Sequence, residues 1–154
     1  MNLKQQIKEK EAELALLKEQ LNSAAPTEKI KTFEDACLDQ GVEAEDPKYQ
    51  YKYPLTDEEV DNSGPAFERL KVIRNALLGD KKLVWGDNTP YKYFPWFNLS
   101  KPKGSGFFGS DCHSWAGSWS IVSSRLAVDS SELAIYFGSQ FKSDWYEYMV
   151  EHKI

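Results

Sequence analysis

The hydrophobic period of this chain changes at Asp129, and that change limits the available folds more than any other feature. Upstream, Arg125, Leu126, Ala127 and Val128 read as a short strand. Downstream, Ala134, Phe137, Phe141, Trp145 and Tyr148 recur at spacings of 3, 4, 4 and 3, which puts them on one face of an α-helix. Asp129 as N-cap and Glu132 three residues later approximate a capping box at its start. A long C-terminal helix over residues 130–149 with so many rings on one face must bury that face. Each fully buried ring contributes up to ~3 kcal/mol. The expected support is a small antiparallel sheet. Residues 91–97 (YKYFPWF) hold five aromatics in seven positions and read as a strand that Pro95 confines to an edge or a bulge. Phe107 with Phe108, and residues 115–122, are further strand candidates, with residues 83–85 a short extended lead-in. Alternation places Tyr91, Tyr93 and Pro95 on one face of the first strand and Lys92, Phe94 and Trp96 on the other. The second face is expected to be buried, with Lys92 at its margin.

The other end of the chain has a different character. Residues 2–22 read as one helix in which Leu3, Ile7, Leu14, Leu17 and Leu21 form a heptad seam, with Lys10 in the one polar seam position. Lys, Glu, Gln, Ala and Leu supply good helix propensity. The i,i+4 charge pairs Lys4–Lys8 and Glu9–Glu13 are repulsive, however, and about three heptads alone are marginal in water. The seam therefore calls for a partner helix. A second copy, as dimer or trimer, suits its narrow apolar stripe better than the chain's own domain does. Residues 22–29 read as a linker, with Pro26 closing the helix. Two short helices follow the linker. Thr32 caps the first and Gly41 ends it; Thr56 with three acids after it suggests the start of another element. Ser63, Gly64 and Pro65 open a longer helix with Phe67, Leu70, Ile73 and Leu77 as its buried stripe, and Gly79 stops it. The fold class expected is thus α+β: an N-terminal coiled-coil-like helix, short helices, then a small antiparallel sheet packed by the C-terminal helix. The domains are 1–25 for oligomerisation and 26–154 for an α+β binding domain.

Composition narrows the functional classes. At 41% hydrophobic and 14% aromatic the chain can build a core without metal or disulfide help. Two cysteines, Cys37 and Cys112, form no disulfide framework and suit a reducing compartment. No apolar run approaches a membrane span and no secretory leader pattern is present, so no membrane partner is expected. The net charge of −5 conceals a segregation. Residues 69–103 carry eight basic residues against two acids, leaving −11 on the remainder. Basic residues beside exposed aromatics suit single-stranded nucleic acid. Tyr91, Tyr93, Lys101, Lys103, Phe107 and Phe108 are accordingly the candidate binding surface. The plainer alternative is that these cations decorate one helix and two loops.

Nothing assembles a catalytic site, and no enzyme activity, cofactor or metal is expected. GSGFFG (residues 104–109) matches G-x-G-x-x-G, but no helix pattern follows it and no βαβ repeat surrounds it, so it reads as a hairpin loop. Asp111, Cys112 and His113 invite a Cys–His reading, yet neighbours on a strand point to opposite faces. Asp144, Glu147 and Glu151, three and four residues apart, read as a solvated helix face.

KYFPWF, the glycine segment and SRLAVDSSELAIYFGSQF together resemble a family of small uncharacterised proteins from gut Bacteroidetes and their bacteriophages, the crAss-like group included. The family pattern is KYYPWF, then SRL, then a helix of the form S-x-E-L-A-x-Y-x-G-x-Q-F. It is met here by Lys92–Phe97, Ser124–Leu126 and residues 130–141. The resemblance covers roughly residues 32–148 and includes TFEDACLDQG (residues 32–41). The long N-terminal helix departs from it, as do Ala127, Val128 and Asp129. It implies a phage or mobile-element setting, an α+β fold and no assigned chemistry. The expected function is a phage-type virion or assembly component that binds itself and another protein, in the virion or the bacterial host cytoplasm. A single-stranded nucleic-acid-binding accessory protein and an inhibitor of a host defence enzyme are the alternatives.

Overall fold

The computed structural model describes residues 3–51, 53–54, 60–85, 91–99, 108–116, 124–150 and 152–153. The described residues are mainly helical. Helix α1 spans Leu3–Ser23, as its propensities and seam require. Pro26 opens a turn instead of closing one: α2 is the single turn Pro26–Lys29, with the proline at a first position where no N–H is needed. Helix α3 (Phe33–Gln40) is held at its start by a reciprocal cap. Asp35 N donates to Thr32 Oγ1 (3.1 Å) and Thr32 N to Asp35 Oδ2 (2.9 Å). It ends at Gly41 with φ +64°, the left-handed conformation that favours glycine. Helix α4 (Ser63–Leu78) buries Leu70, Ile73 and Leu77 and half-buries Phe67. Of the expected start at Thr56, residues 56–59 lie outside the described residues.

The long C-terminal helix comes in two pieces, α5 (Ser131–Gln140) and α6 (Lys142–Met149), separated by Phe141 at φ −106°, ψ 32°. Gly138 and Ser139 just before the break are weak helix formers. Ser139 Oγ also donates to Tyr136 O (3.2 Å), a back-bond that bends helices. Hydrogen bonds still cross the break, from Phe141 N to Phe137 O and from Trp145 N to Phe141 O. The ring stripe therefore stays in phase, and Ala134, Phe137, Phe141 and Trp145 are all buried. Trp145 lies 5.0 Å from Phe137 and 5.2 Å from Phe97 between ring centroids. Ser130, not Asp129, is the N-cap: Leu133 N donates to Ser130 Oγ at 3.2 Å. Asp129 pairs instead with Lys81 Nζ at 2.6 Å.

No broad sheet lies beneath this stripe among the described residues. Extended structure is confined to one ladder and to two-residue segments. The ladder pairs β3 (Lys92–Phe97) with β4 (Phe108–Ala116) antiparallel, with a register shift between Pro95 and Phe97. Strands β1 (Tyr53–Pro54), β2 (Val60–Asp61) and β5 (His152–Lys153) pair over two residues each. Residues 83–85 are not a strand, and Ser124–Leu126 is a 3₁₀ turn. Val128 alone joins the ladder, exchanging both backbone hydrogen bonds with Tyr93 (2.9 and 2.8 Å). The helices take the place of a sheet. Leu70, Ile73 and Leu77 from α4 share one core with Phe137, Phe141, Trp145, Leu126 and Val128. Tyr136 Oη and Gln140 Nε2 donate to the carbonyls of Ile30 and Lys31, both at 2.7 Å, and so tie α5 to the chain before α3.

Candidate functional site

Helix α1 is the most open element. Every described side chain from residue 3 to residue 20 is exposed, and Leu3, Ile7, Leu14 and Leu17 are 51–68% accessible. Among the described residues nothing of the remaining chain covers these four seam side chains. Leu21 continues the helix, but its side chain lies outside the described residues. Lys10, the polar seam residue, pairs with Glu13 at 2.6 Å, so the seam's one charge is partly neutralised within its own helix.

The strand region departs from the expected binding surface. Its two faces are not divided into one buried and one open: Lys92 and Phe94 of one parity and Tyr93 and Pro95 of the other are all buried or half-buried. Tyr93 is half-buried against the core and Phe97, which shares its parity, is buried within it. Trp96, expected inside, is 51% exposed, whereas Lys92, expected at the margin, is 1% exposed. The Phe97 ring packs on Trp145, and the register shift between Pro95 and Phe97 breaks the strict alternation, so residues of both parities are buried and Trp96 is left outside. Tyr91 is exposed, so the two tyrosines do not form one open platform. Lys101, Lys103 and Phe107 lie outside the described residues. Phe108 begins β4, and its side chain is likewise outside them.

Much of the basic span is engaged internally. Arg69 Nε donates to Asp144 Oδ1 and Nη2 to Glu147 Oε2, both at 2.6 Å. Nη1 donates to the Tyr49 carbonyl at 2.8 Å. The two acids are thus not a solvated face; they clamp α6 to α4. Burial disfavours the Arg69 charge, but the two carboxylates outweigh it and hold the guanidinium protonated. Burial pushes the Asp144 carboxyl above its ordinary value, with Arg69 pulling against it. Lys71 pairs with Glu68 and Lys81 with Asp129, each at 2.6 Å. The Lys92 ammonium lies 5.5 Å from the centroid of the Trp85 ring. Charge counting along the sequence could not reveal these pairings, because the acids that receive Arg69 lie 75 and 78 residues away.

Among the described residues no group of three or more His, Cys, Asp or Glu is placed to hold a metal. No described helix is long and apolar enough to cross a membrane. Cys37 is buried, and burial first, then Glu34 and Glu45, raise its thiol pKa, which suppresses the thiolate. The side chains of Asp111, Cys112 and His113, and residues 104–107 of the glycine segment, lie outside the described residues. No protein-family model, curated protein or solved structure matches the chain.

Proposed function

We propose that this chain is a non-catalytic assembly component that self-associates through α1 and presents the remaining domain to another protein. The observation that carries this reading is the uncovered seam of Leu3, Ile7, Leu14 and Leu17 on a helix with no described buried side chain. A helix of this length and charge pattern is marginal alone, and a second copy supplies the complementary apolar stripe at heptad spacing. The resemblance to a phage-associated family supports a virion or infected-cell setting. The single-strand reading has less support, since Tyr93 packs inward and Arg69, Lys71 and Lys81 pair with carboxylates.

The test is Leu14→Asp with Leu17→Asp. Each leucine is about half exposed in the isolated chain, so burying the rest contributes about 1 kcal/mol per side chain. Four such side chains in a dimer sum to about 4 kcal/mol, near a thousandfold in Kd, before any repulsion between facing carboxylates. The double variant is expected to run as a monomer in light scattering with an unchanged thermal midpoint for residues 26–154. Equal masses for wild type and variant would overturn the reading.

A further inference from the structure

A cleft of ≈ 330 Å³ opens beside α4, lined by Lys71, Arg74, Asn75, Trp85 and Arg125. That volume is at the lower end of the range for small-molecule sites, ~300–1,000 Å³. Among the described residues its lining holds three cations, one carboxamide and one indole, and no carboxylate. Only Lys71 among those cations has an acidic partner among the described residues, Glu68.

Arg74 makes the contrast with Arg69 plain. Both are half-buried on α4, but Arg69 is clamped by two carboxylates and Arg74 by none among the described residues. Arg74 Nε donates to Ala127 O (2.8 Å) and Nη1 to Asn75 Oδ1 (3.0 Å). The guanidinium is therefore fixed in place by neutral groups, and its Nη2 edge is left without a described partner. Desolvation without a compensating anion lowers its pKa from the ordinary arginine value. Arg125, exposed on the turn Ser124–Leu126, has no described hydrogen bond or ion pair. A held, half-desolvated guanidinium beside a second, open one favours an anion with several oxygens. The indole adds a requirement that inorganic phosphate does not meet. Trp85 is 37% exposed and carries the Lys92 ammonium 5.5 Å from its ring centroid. The accessible part of the ring offers a planar ligand a stacking surface.

We propose that this cleft binds a 5′-nucleotide, with its phosphate between Arg74 and Arg125 and its base stacked on Trp85. Asn75, whose Oδ1 already accepts from Arg74, has its Nδ2 hydrogens left for a ligand acceptor. The same chemistry is offered by a free mononucleotide and by the 5′-phosphorylated end of a strand. The site does not use α1 and stands apart from self-association.

The experiment is calorimetric titration of the full chain with AMP, adenosine, inorganic phosphate, and a trinucleotide with and without a 5′-phosphate. AMP is expected to bind about tenfold or more tighter than adenosine or inorganic phosphate, since phosphate clamp and stacking both contribute. Arg125→Ala, at an exposed side chain, should weaken AMP about tenfold while the melting curve is unchanged; Trp85→Ala should weaken it as much, with a lower melting midpoint because it also uncovers the buried Lys92 ammonium. Arg74→Gln should weaken it further. Preference for the phosphorylated trinucleotide over AMP assigns the site to strand ends, and equal affinity assigns it to free nucleotides. The proposal is overturned if AMP binds no better than inorganic phosphate, or if Arg125→Ala and Trp85→Ala both bind AMP like wild type; a trinucleotide that ignores its 5′-phosphate while AMP binds assigns the site to free nucleotides.

Discussion

Arg69→Ala is the substitution whose cost can be read most directly from the structure. The side chain joins α4 to α6 through two 2.6 Å ion pairs and reaches the Tyr49 carbonyl at 2.8 Å. Its guanidinium and the Asp144 carboxylate are each 17% accessible, and that of Glu147 is 25%. Screening by water is therefore weak. Truncation leaves two carboxylates three residues apart on one helix face, with no cation between them. Removing one partner from a buried pair costs ~3–5 kcal/mol, a large share of the ~5–15 kcal/mol that holds a typical domain. Most of that penalty is stranded charge, and burial already raises the Asp144 carboxyl pKa, so the penalty should shrink as pH falls and Asp144 protonates. Adding Asp144→Asn and Glu147→Gln to Arg69→Ala should recover a good part of it at neutral pH. Urea unfolding at neutral and acid pH measures both effects. A loss under about 0.5 kcal/mol at neutral pH, the size of an ordinary surface change, would refute the clamp.

Two further perturbations test the C-terminal elements. Phe141→Ala, at the break between α5 and α6, should lower stability by ~3–5 kcal/mol because its ring is buried beside Phe137; a nearly unchanged denaturation midpoint would mean that the break tolerates a cavity. Ser130→Ala should cost about 1 kcal/mol as the loss of an N-cap. Asp129→Ala should cost less, since its pair with Lys81 is mostly exposed and worth ~0–1 kcal/mol; the reverse order in thermal melts would restore Asp129 as the cap.

The helices were legible because their signals are local. Thr32 with Asp35, the glycines at 41 and 79, and the ring spacing from Ala134 to Trp145 all mark structure within one or two turns. The break at Phe141 was not, because the stripe keeps its phase through it. The strands failed for a different reason. Alternation assumes an unbroken strand, but the register shift between Pro95 and Phe97, with Phe97 meeting Trp145 48 residues away, buries residues of both parities and leaves Trp96 outside. Asp129 looked like a cap because it precedes a helix, yet Ser130 fits the cap and frees Asp129 for Lys81. For the candidate sites, the seam of α1 could be read from heptad spacing alone. The cleft at Arg74 could not, since it gathers Lys71, Trp85 and Arg125 from three separate segments. Nor could the engagement of Asp144 and Glu147 by Arg69, which turns an apparent solvent face into a joint between helices.

The central claim is that α1 exists to meet a copy of itself. Sedimentation equilibrium of the wild-type chain over a range from sub-micromolar to tens of micromolar tests it most directly. The account predicts a mass that rises with concentration to two or three times the 17.7 kDa of the single chain. A mass that stays at 17.7 kDa throughout would contradict it.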